Sequence, residues 1–78
     1  MPVSRIEKIV GGTVVQQAER GADGYFECFH HGSNTNPAKF ATLDEVAEFL
    51  RRNPGAGVRM NPRWSKISRF VFIDGVLL

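Results

Sequence analysis

Between Thr42 and Arg52 the apolar residues fall at Leu43, Val46, Ala47 and Leu50, with Phe49 at the edge, a spacing that lays one apolar stripe along a helix. Thr42 followed by Glu45 is a capping box, in which each side chain can satisfy the other residue's backbone amide. Asp44 and Glu45 in the first turn and Arg51 and Arg52 in the last complement the helix dipole, and Glu48 is spaced to pair with Arg52. Asn53-Pro54-Gly55 ends the run. The pattern predicts one helix over Thr42 to Arg52, with a stripe that needs a sheet to cover it.

The rest of the chain reads as strands and turns. β-branched residues from Thr13 to Glu19 favour an extended run, and Tyr25 to His31 is rich in aromatic strand formers. The turn-forming stretch Arg20 to Gly24 between them predicts a β-hairpin. The first ten residues are open, because Ser4 to Glu7 has capping-box spacing while Arg5 to Val10 also suits a strand that turns at Gly11-Gly12. Gly32 to Lys39 is a polar loop. Beyond the helix, Val58 to Met60 reads as a short extended piece, and Asn61-Pro62 either turns the chain or caps a brief helix through Trp64 and Ile67. Asp74-Gly75 between Phe70 to Ile73 and Val76 to Leu78 is a strong hairpin signal.

These elements predict a single small α+β domain over residues 1–78, with an antiparallel sheet of about four strands packed on one main helix. Val46, Leu50, Phe26, Phe70 and Phe72 are the expected core. Alternation puts Phe26 and Cys28 on one face of their strand and Tyr25 and Phe29 on the other, so both sheet faces look apolar. One helix covers only one face, so the second needs either the N-terminal segment or a second copy of the chain, a homodimer, as its cover.

A chain of 78 residues with a single cysteine, Cys28, has no internal disulfide to staple it, so packing or self-association must hold it together. The lone thiol suits a reducing, cytoplasmic setting, and no stretch reads as a signal peptide or membrane span, so no membrane partner is expected. The formal net charge of +2 conceals an asymmetry: residues 1–50 carry four basic and seven acidic side chains, residues 51–78 six basic and one acidic.

That asymmetry supplies the candidate site. Arg51, Arg52, Arg59, Arg63, Lys66 and Arg69 gather around Trp64 with no acid between Arg51 and Ile73, a set able to neutralise phosphates and stack a base, or to meet another anionic partner. No zinc-finger spacing, RNP pattern or GxxG clamp accompanies it. In the competing reading Trp64 joins the core and the cations pair with the acidic first half. Other chemistry is weaker. Asn53 to Gly57 follows a helix C-terminus, where the dipole repels anions. Cys28 and His30 share a strand face but amount to two metal ligands, and neither an orienting carboxylate nor an oxyanion hole marks Cys28 or Ser33 as a nucleophile. The expectation is a domain that is no enzyme and carries no cofactor. It would bind a protein partner, unidentified by the sequence, or itself; the alternative is a nucleic-acid-binding module using residues 51–69.

Overall fold

In the computed structural model, which describes residues 2–61 and 67–78, the chain runs β1 (Ile6–Val10), β2 (Thr13–Ala18), β3 (Phe26–Phe29), β4 (Ala38–Phe40), α1 (Leu43–Arg52), β5 (Gly57–Asn61), β6 (Ile67–Ser68), β7 (Phe72–Ile73) and β8 (Val76–Leu77). The α+β class and the single main helix are as the pattern predicts. The strand number is not: eight strands form among the described residues, all paired antiparallel, in the order β4-β3-β5-β2-β1-β7-β8 with β6 attached to β5. The missed strands are short. β4 has three residues and β6 two, too few for a period-two alternation to register.

α1 starts at the capping box. Thr42 Oγ1 accepts from the Glu45 amide at 3.3 Å, and Glu45 Oε1 accepts from the Thr42 amide at 3.2 Å. Arg52 Nε meets Glu48 Oε1 at 2.6 Å, the predicted pair one turn apart. At the far end the Asn53 amide and side chain both donate to the Phe49 carbonyl, and Gly55 at φ +85° turns the chain away. A Cβ on Gly55 would lie 2.5 Å from His31 Nδ1, so the residue is small for steric as well as conformational reasons.

The N-terminal segment resolves as strand. β1 and β2 join through Gly11 and Gly12, both with positive φ, the two-residue turn whose twist matches that of the strands. β7 and β8 repeat the device through Asp74 and Gly75 at φ +49° and +84°. The hairpin expected from residues 13–19 and 25–31 does not form. Its two arms meet only at an isolated bridge, Arg20 to Phe26, and β5 instead pairs with both β2 and β3. Residues 20–24 make a corner rather than a tight reversal: Arg20 Nη1 donates to the carbonyls of Gly24 and Ala41 at 2.8 and 2.7 Å, and its guanidinium lies over the Phe26 ring. β5 contributes two fully buried side chains, Val58 and Met60, so its apolar content suits the middle of the sheet.

The core comprises Val46, Ala47 and Leu50 of α1 against Phe26, Cys28, Val58 and Met60, extended by Ile6, Val71 and Ile73. Two expected core residues move. Phe72 is only half-buried, and Phe70 is 73% exposed. The apolar second face is also absent from β3, β4 and β5: Glu27, its cross-strand neighbour Lys39 and its ion-pair partner Arg59 occupy it. Tyr25 is exposed there, and Phe29 is buried apart from the main cluster.

Leu50 is 1% exposed at the centre of this packing. Leu50→Ala is expected to cost about 2–5 kcal/mol, a large part of the stability of so small a domain, and to lower Tm by roughly 10 °C or more. A thermal melt followed by circular dichroism reads this directly.

Candidate functional site

The basic segment does not gather into one surface among the described residues. Arg63, Trp64 and Lys66 lie outside them. Arg52 pairs with Glu48 on the exposed face of α1. Arg59 crosses to Glu27 at 3.2 Å, and its Nε is buried without a hydrogen-bond partner among the described residues. Arg69 reaches back over the helix-end loop, its Nε donating to the Gly55 carbonyl at 2.8 Å and Nη2 to that of Ser33 at 3.4 Å. It thereby ties the β3–β4 loop to the loop after α1. Arg51 lines a cavity whose other walls are apolar residues and Gly55.

That cavity, about 350 Å³, is lined by Leu50, Arg51, Pro54, Gly55, Phe70 and Leu78. A smaller depression of about 80 Å³ shares Arg51 and Leu78 with it and adds Ile73, Val76 and Leu77. Three elements build this surface: the last turn of α1, the loop that Gly55 turns, and the C-terminal hairpin that closes when the Leu78 amide donates to Val71 O at 3.0 Å. β8 is the last strand in the sheet order, and its residues are exposed although both are apolar.

Phe70 is the unusual member. Its backbone is held at φ +59°, a region that costs a side-chain-bearing residue about 1–2 kcal/mol. It sits between half-buried Arg69 and Val71, which is 1% exposed, so the chain is anchored on both sides of it. The ring is thus displayed to solvent, touched on one side by the Lys8 ammonium at 5.8 Å from its centroid. The sequence marked Phe70 as core because aromatic residues at alternate strand positions normally are. The one available sign was its place in the short step between β6 and β7, where neither strand imposes a face.

Two other hollows are less complete. A shallow groove of about 520 Å³ over Phe40 and Phe49 is edged by Asp44, Glu45 and Glu48, but those carboxylates already serve the Val3 amide, the helix cap and Arg52. A polar hollow at His31, Ser33, Asn34 and Arg69 faces a guanidinium that is occupied with backbone carbonyls. The residues considered for metal or nucleophilic chemistry separate: Cys28 is fully buried in the core, His30 is exposed with its ring edge against Phe49, and His31 rests on Gly55. No group of three or more His, Cys, Asp or Glu among the described residues is placed to hold a metal. Burial pushes the Cys28 thiol up to about 12, leaving it protonated at neutral pH. On the polar sheet face, the hydrogen bond from Lys39 holds the Asp23 carboxyl below its usual range.

Comparison with known protein families, with curated proteins and with solved structures finds no match for the chain. No helix among the described residues is long and apolar enough to cross a membrane.

Two outcomes follow from these placements. In native protein Cys28 is expected to resist a thiol-specific disulfide reagent and to react fully in denaturant; rapid native reaction would mean that the core opens. Arg69→Ala is expected to cost about 1–3 kcal/mol through two lost charge-assisted bonds to carbonyls, measured as a shift in the urea midpoint. Arg51→Ala, with no such bonds, is expected to leave that midpoint nearly unchanged.

Proposed function

We propose that the chain is a non-enzymatic interaction domain that binds a protein partner at the groove between the end of α1 and the C-terminal hairpin. The observation that carries this reading is Phe70, an aromatic ring 73% exposed on a backbone at φ +59°. A large exposed ring saves little by desolvation, and its backbone conformation costs stability, so the arrangement makes physical sense when a partner covers the ring. Val76, Leu77 and Leu78 extend the same apolar surface. A reducing, cytoplasmic location accords with the lone buried thiol of Cys28.

A second copy of the chain is one candidate occupant. The alternative reading, nucleic acid bound along residues 51–69, is supported by the run of cations in the sequence. Its described members Arg52 and Arg59 are neutralised by carboxylates, which favours the groove as the main site.

Phe70→Gly separates function from folding. Glycine adopts φ +59° without strain, so the variant is expected to keep or slightly raise Tm while losing affinity for peptides selected by display on the wild-type protein. A marked fall in Tm would assign Phe70 to the fold. Equal binding of the selected peptides to both proteins would place the interaction elsewhere, and a concentration-dependent dimer that Phe70→Gly dissolves would identify the second copy as the occupant.

A further inference from the structure

Half of the lysines and arginines among the described residues have found carboxylates. Arg5 lies 3.0 Å from Glu7, Arg52 2.6 Å from Glu48 and Arg59 3.2 Å from Glu27, while Lys39 pairs with Asp23. Four have no ion pair among the described residues: Arg20, Lys8, Arg51 and Arg69. Arg20 is taken up by carbonyls and the Phe26 ring at the corner before β3. The other three border the Phe70 groove. Arg51 lines it, Lys8 stands over the Phe70 ring, and Arg69 is bonded to the carbonyl of Gly55 in its wall. No carboxylate side chain lines the groove or the depression beside it. The acid of the adjoining hairpin, Asp74, is turned to the amides of Ser4 and Arg5 at 2.9 and 3.0 Å.

From this we infer that the partner is an acidic amphipathic polypeptide segment, with an apolar side chain entering the groove beside Phe70 and carboxylates meeting Arg51, Lys8 and Arg69. The inference rests on the groove being the protein-binding surface. The apolar lining supplies contact area, and the three un-neutralised cations supply the choice of partner. A second copy docked about a two-fold axis through the same patch would set one cationic rim against another and offer it no acidic side chain from the groove, which disfavours the chain itself as occupant. Lys8 and Arg69 spend hydrogens on backbone oxygens yet keep their charge, so they act as a positive field at the rim, and Arg51 is free to make a direct bidentate contact.

The test uses three synthetic peptides of one apolar pattern whose remaining positions are all Glu, all Gln or all Lys, titrated against the full chain by fluorescence anisotropy. The Glu peptide is expected to bind about tenfold more tightly than the Gln peptide at low salt, with the gap narrowing at about 0.15 M salt. Arg51→Glu is expected to remove the preference for the Glu peptide, and the milder Arg51→Gln to narrow the gap between the Glu and Gln peptides. Equal binding of Glu and Gln peptides to wild type, both lost in Phe70→Gly, overturns the acidic partner and leaves the protein-binding groove standing. Binding of none of the three overturns both. A single-stranded oligonucleotide that outcompetes the Glu peptide, or anionic vesicles that bind where no peptide does, makes the groove a surface for another class of anion and overturns the inference.

Discussion

Burial of one stripe of α1 beneath a sheet of short strands is the interaction on which this structure depends. Val46, Ala47 and Leu50 meet the inward side chains of β3, and Val58 and Met60 of β5 close the same core. With no disulfide in a chain this short, those fully buried positions must offset the entropy of ordering the rest. The helix packs chiefly on β3 and β4. Ten residues of helix do not reach across eight strands, so the far end of the sheet, β7 and β8, leaves apolar residues uncovered. The groove at the end of α1 is thus a consequence of the cover being shorter than the sheet.

Electrostatics then divides the surface. Cross-strand and one-turn ion pairs neutralise the face formed by Glu27, Lys39 and Arg59 and the exposed side of α1. Such pairs add little stability when exposed, but they remove net field from the regions they occupy. Besides Arg20 at the corner before β3, what remains positive is the rim of the apolar groove, where Lys8, Arg51 and Arg69 come from three distant parts of the sequence. Arg69 has a second duty, since its bonds to Gly55 and Ser33 carbonyls shape the wall beside which the ring of Phe70 is displayed.

Local signals of high specificity were legible in the residues alone. Thr42 and Glu45 form their capping box, Glu48 meets Arg52, Asp74-Gly75 turns a hairpin, and Val46, Leu50 and Phe26 are core. Each depends on partners a few residues away or on a strong apolar period. The candidate site was legible only in part. Arg51 and Arg69 belong to the basic segment and border the groove, whereas Arg52 and Arg59 are neutralised elsewhere and Lys8 lies far from that segment in the sequence.

By itself the sequence determined the helix, its ends, the Asp74-Gly75 turn and the α+β class, because those follow from hydrogen bonds and steric preferences that close within a few residues. The tertiary structure decided that β5 separates β2 from β3, that Phe70 faces solvent, and which cations keep their charge unpaired. Strand order is set by competition among distant segments for the same edges, and a strand of two residues has no period to declare its inner face. The fate of each arginine depends likewise on which carboxylate the folded sheet brings within reach.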